Sequence, residues 1–100
     1  MKKSFKELIN DEGIPVLVDF YATWRGPCQT MSPIIVEASN AFKGRLKVIK
    51  IDIDKNKAIT AQLGIRSVPT FILFESGKMK WRKSGILTRR DLMNVLEKNC

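Results

Sequence analysis

The spacing of apolar residues alternates along the chain between a helical and a strand-like period. Phe5-Lys6-Glu7-Leu8-Ile9 has the helical spacing and predicts a short amphipathic helix that stops near Gly13 and Pro15. Val16 to Tyr21 is nearly all apolar, as in a strand covered on both faces. Met31, Ile35, Ala38 and Phe42 then fall on one side of a helix. Pro33 lies inside that helix, where a missing N–H and a bulky ring favour a kink. Leu46 to Asp52 is a second strand whose register stays open, because apolar residues occur on both of its faces. Ala58 to Leu63 predicts a short helix with Gly64 as its C-terminal cap. Thr70 to Phe74 is a third strand, which Ser76-Gly77 turns back into Lys78 to Arg82. In this last strand Met79 and Trp81 are expected on one face and Lys78, Lys80 and Arg82 on the other, a pattern suited to a sheet edge. Thr88 with Asp91 resembles a capping box, and Leu92, Val95 and Leu96 form the buried stripe of a final helix.

This order is α/β with a terminal hairpin, and it predicts a four-stranded mixed central sheet flanked by helices. No linker, repeat or low-complexity segment interrupts it, so residues 1–100 are read as a single domain.

Composition narrows the chemistry. The chain has no His and only two Cys, which argues against zinc or iron–sulfur sites and against His-dependent acyl transfer. The net charge of +8 invites a nucleic-acid reading. The cations are dispersed, however, and no base-stacking motif accompanies them, so a solvated surface and no nucleic-acid partner are expected. Met1-Lys2-Lys3 is followed by charge at Lys6 and Glu7 where a signal peptide needs an apolar run. No stretch is long enough for a membrane span. A cytoplasmic, reducing setting is therefore expected, in which cysteines need not pair.

The most specific segment is Trp24-Arg25-Gly26-Pro27-Cys28, between the first strand and the second helix. A strand running into a Trp, two cysteines around Gly-Pro and a helix would form a thiol–disulfide exchange motif. Here Arg25 occupies the place of the first cysteine. The segment resembles the Trp-Cys-Gly-Pro-Cys signature of the thioredoxin family at every other position, and the element order matches the thioredoxin fold over essentially the whole chain. The leading strand of many members is reduced or absent, since only Met1 to Lys3 precede Ser4.

The resemblance implies a protein-disulfide oxidoreductase that needs no cofactor or metal. It implies disulfide-containing or extended polypeptides and thioredoxin reductase as partners. In the family the first cysteine attacks a substrate disulfide and the second resolves the mixed disulfide. Cys28 matches the resolving thiol. Arg25 cannot be a nucleophile, because its guanidinium is neither deprotonated nor oxidised. Its presence reads as loss of the dithiol cycle or as a repurposed site that binds an anionic group of a partner. Cys28 in turn reads as a shielded thiol or as a monothiol activated by the neighbouring cation.

Asp19 is an ionisable residue within an apolar strand, where burial would raise its pKa. The alternative is an aspartate at a bulge, reaching solvent. By resemblance it manages the proton of Cys28, with Lys50 beside it. Trp24, Gly26, Pro27, Val68, Pro69 and Gly85 match the family's peptide groove, and a cis bond is expected before Pro69. These matches allow a second reading, a non-catalytic module that holds a partner polypeptide in the groove around Pro69. Cys100 lies past the final helix and is expected to be a frayed, accessible thiol. The chain is expected to be a monomer that forms a Cys100-linked dimer on oxidation.

Overall fold

The computed structural model describes residues 4–11 and 13–100. Met1 to Lys3, on which the reduced leading strand was expected, lie outside the described residues. Helix α1 (Phe5–Ile9) begins with a reciprocal capping box: the Glu7 N–H donates to Ser4 Oγ at 3.2 Å, and the Ser4 N–H donates to Glu7 Oε1 at 3.1 Å. The chain then builds β1 (Val16–Tyr21), α2 (Gly26–Ala41), β2 (Lys47–Asp52), α3 (Lys57–Gln62), β3 (Thr70–Glu75), β4 (Lys78–Ser84) and α4 (Arg89–Asn99).

The four strands form one sheet in the order β2-β1-β3-β4. β1 runs parallel to β2 and antiparallel to β3, and β3 pairs antiparallel with β4. One face carries Leu17, Phe71 and Leu73 under Met31, Ile35 and Ala38 of α2 and Leu92 and Leu96 of α4. The opposite face carries Val16, Val18, Phe20, Ile72 and Phe74 against Phe5 and Ile9 of α1 and Ile59 of α3. Because both faces are covered, β1 is apolar throughout except at Asp19. The same covering resolves the ambiguity of β2: Val48 joins the first core, and Ile49 and Ile51 join the second.

The helix expected at Ala58 to Leu63 begins one residue earlier, and Gly64 follows it with φ of +64°. Thr88 caps α4 by accepting from the Asp91 N–H at 3.0 Å.

One expectation for β4 is corrected. Trp81 pairs with Leu73 and Met79 with Phe74, so Lys80 is the extra residue of a β-bulge. Because facing residues share a side, Trp81 packs with the α2/α4 core while Met79 turns toward Phe5 and Ile9. The bulge also sets Arg82 opposite Ile72 on the α1/α3 face, while Lys78 shares the other face with Trp81. Strict alternation placed these residues wrongly because it assumes two residues per pleat without interruption.

Candidate functional site

The strand pairing gathers residues distant in sequence at one edge of the sheet. Phe20 pairs with Thr70, which sets Pro69 beside the end of β1. Tyr21 pairs with Asp52, which sets the β2–α3 turn on the other side of the same end. Ala22 to Arg25 lead from β1 into α2, and the Arg25 N–H donates to the Ala22 carbonyl at 3.2 Å.

Arg25 is the N-cap of α2, in extended backbone conformation and without a side-chain cap bond. Gly26 and Pro27 open the helix, and Pro27 suits its first turn because no intrahelical N–H bond is lost there. The Arg25 guanidinium lies 5.0 Å from the centroid of the Trp24 ring. It makes no ion pair among the described residues. Trp24 is 61% exposed, and its indole N–H donates to Asp54 Oδ2 at 2.7 Å. Asp54 escaped sequence reasoning. The only signal for it is the run Asp52-Ile53-Asp54 just after a strand parallel to β1.

Cys28 lies one turn into the site, in the first turn of α2. Its thiol is free, and the residue is half-buried. It lines an open pocket of about 290 Å³ together with Tyr21, Thr23, Gln29, Ser32 and Lys50.

Asp19 is buried at 3% exposure, and its Oδ1 has no hydrogen-bond partner among the described residues. It pairs in register with Lys50, without a bulge. Burial pushes the carboxyl up from 3.8 to about 6, and the Lys50 charge partly opposes this. Lys50 makes no ion pair with Asp19; its ammonium lies 4.7 Å from the Tyr21 ring centroid, at the pocket wall.

The Val68–Pro69 bond is cis, and both residues are buried. Thr70 Oγ1 donates to the Ser67 carbonyl at 2.7 Å. The Gly85 N–H donates to the Pro69 carbonyl at 2.8 Å. Gly85 has φ of +93°, and a Cβ there would project into open space rather than into the protein. Backbone conformation, and not crowding within the chain, therefore selects glycine at this position.

Cys100 differs from its expectation. It caps α4 with its N–H on the Leu96 carbonyl at 2.8 Å, and it is half-buried against the α2/α4 core rather than frayed. Burial pushes its thiol pKa up, Arg45 opposes, and Glu75 and Glu97 add to the rise. It lines a second pocket with Gly13, Ile14, Pro15 and Arg45, at the opposite end of β1 from Cys28. Six strand residues span roughly 20 Å, far beyond the ~7 Å Cα separation a disulfide tolerates.

No helix among the described residues is long and apolar enough to cross a membrane.

A mixed sheet of order β2-β1-β3-β4 flanked by helices, with a strand-to-helix turn facing a proline at the head of β3, is the thioredoxin fold. The chain belongs to the thioredoxin family, whose sequence profile matches residues 1–98. It is 44% identical over 96 residues to the thioredoxin of Rickettsia felis, covering 96% of this chain and 91% of that protein. It is 38% identical to thioredoxin 1 of a Nostoc species, over 96% of this chain and 90% of that one. It is 45% identical to the chloroplastic thioredoxin Y1 of Arabidopsis thaliana, covering 94% of this chain and 55% of the plant protein.

Proposed function

We propose that this chain is a single-domain, cytoplasmic protein of the thiol–disulfide oxidoreductase class whose dithiol cycle is interrupted at Arg25. The observation that carries this reading is the arginine at the N-cap of α2, with Cys28 one turn on and the other thiol at the far end of β1. In an intact pair the thiol at the helix start attacks a substrate disulfide, and the second thiol breaks the resulting bond. Cys28 alone can complete only one exchange. Its thiolate forms a mixed disulfide with a substrate, and no neighbouring thiol releases it.

A proton-managing role for Asp19 and Lys50 at Cys28 is supported by their pairing across β1 and β2 and by the pocket that Lys50 and Cys28 share. A buried carboxyl that titrates near 6 can take up a proton close to neutrality, and Lys50, its partner across the β1–β2 pair, lines the same pocket as Cys28. Trp24, Gly26, Pro27, Val68, Pro69 and Gly85 form the groove for an extended or disulfide-containing polypeptide, with thioredoxin reductase as a partner of the family's kind.

A second reading is a non-catalytic module that holds a partner polypeptide in this groove. The Arg25 guanidinium, which lies over the Trp24 ring and makes no ion pair among the described residues, supports it. A reductase-coupled assay with a protein disulfide tests the main reading. No sustained turnover is expected, and turnover comparable to that of a dithiol thioredoxin would refute it. Partner capture that survives reductant would favour the binding module.

A further inference from the structure

Four contacts from Arg82, Ser84 and Gly85, at the end of β4 and just past it, hold the segment that runs from the end of α3 into β3. Arg82 donates from Nη1 to the Leu63 carbonyl at 2.5 Å and from Nη2 to the Gly64 carbonyl at 3.1 Å. Ser84 Oγ lies 3.1 Å from Thr70 Oγ1, and the Gly85 N–H holds the Pro69 carbonyl. The last turn of α3 contains no basic residue, so its terminal carbonyls receive their cation from another element. The planar fork of a guanidinium fits two adjacent carbonyls at once, which a single ammonium does not. Arg82 reaches them because of the bulge at Lys80. Counted back from the Glu75–Lys78 pair without that extra residue, Arg82 would face Phe71, on the wrong side of the sheet.

Between the Arg82 clasp and Pro69 lie only Ile65, Arg66, Ser67 and Val68. Ile65 is anchored by its N–H to the Thr60 carbonyl at 3.0 Å, and Ser67 by Thr70. The orientation of the Val68 backbone therefore depends on where the end of α3 is held relative to β4.

We propose that Arg82 is a positioning residue for the polypeptide groove: by clasping the end of α3 to β4 it fixes the loop that presents the Val68 backbone to an extended chain. This rests on the groove reading given above. Arg82 need not touch the bound chain or Cys28. Its loss is expected to weaken reaction with ligands that pair along Val68, and to spare small disulfides that need only the Cys28 pocket.

The experiment uses the full chain with Cys100→Ser, so that Cys28 is the sole thiol. Its reaction rate is measured with two oxidants: a short unstructured peptide dimerised through one cystine, and dithiodipyridine. In each case the Cys28 thiolate attacks one sulfur, a Cys28 mixed disulfide forms, and the oxidant's S–S bond breaks. The other half leaves as a thiolate or thione, and the thiol proton passes to solvent. Arg82→Gln is expected to slow the peptide reaction about tenfold, as for a lost hydrogen bond of a charged group, while the dithiodipyridine rate stays within about twofold. Arg82→Lys is expected to fall between, since it restores the charge but not the two-pronged contact. An unchanged ratio of the two rates in Arg82→Gln, with both variants folded, would overturn the positioning role while leaving the groove reading in place. A parent chain whose ratio of peptide to dithiodipyridine rates is no higher than that of free cysteine would overturn both, since the aromatic disulfide has the better leaving group and is the faster oxidant of any thiol.

Discussion

At Arg25 two local effects oppose each other. A cation at a helix N-terminus is unfavourable by about 0.3–1 kcal/mol. Stacking over an exposed Trp returns about 0.5–1 kcal/mol. Arg25→Cys should therefore change stability by less than about 1 kcal/mol, while placing a thiol where the helix start favours its thiolate. In a Cys100→Ser background this variant is expected to gain sustained disulfide-reductase turnover, measured in the coupled assay. A folded variant without turnover would mean that the groove has also diverged. Cys100 leads to a different expectation. Burial holds its thiol pKa up, so oxidation to a Cys100-linked dimer should be slow at neutral pH and accelerate as the pH rises beyond the ordinary thiol range. Non-reducing electrophoresis against pH, with Cys100→Ser as control, reads this directly. A dimer that persists in the control would implicate Cys28 instead.

At the scale of elements, local rules succeed where the deciding contacts are local. The Thr88 cap, the Gly64 terminator and the Met31-Ile35-Ala38 stripe of α2 were all legible, because each depends on neighbours within about one helical turn. Thr88→Ala should cost about 1 kcal/mol, read as a lower urea midpoint, with faster amide exchange in the first turn of α4. The faces of β4 were misread for the opposite reason. A bulge inserts one residue opposite a single partner residue on β3, and nothing in Lys78-Met79-Lys80-Trp81 marks it. The register of β2 was undecidable locally because helices on both sides of the sheet reward apolar residues on both of its faces.

For the whole molecule, the burial of Asp19 has a consequence for folding stability. Its carboxyl titrates at about 6 in the folded chain against 3.8 when unfolded, so between these values the folded state binds more proton than the unfolded one. Stability must therefore fall as pH rises through this window. The change amounts to about 3 kcal/mol from this group alone, fully present as a penalty above about pH 7. Urea unfolding across this range should show the decline, and Asp19→Asn should flatten it. An equal slope in both proteins would place the titration elsewhere.

The sequence by itself determined the order of elements, the identity of the turn between β1 and α2, and the presence of Arg25 rather than a thiol at the start of that helix. These follow from side-chain periodicity, capping and residue chemistry, all of which act over short distances along the chain. It also marked Asp19 as an anomaly, since an aspartate in an apolar strand is conspicuous without any partner in view. What only the tertiary structure decided was which distant groups meet. Asp54 reaches Trp24 because β1 and β2 run parallel and end at the same edge, and Pro69 joins them because β3 runs the other way. Arg82 reaches the end of α3 because one extra residue rotates it across the sheet, and Cys100 is separated from Cys28 by the length of β1. These placements depend on strand direction and register, which arise from pairing between segments far apart in the chain.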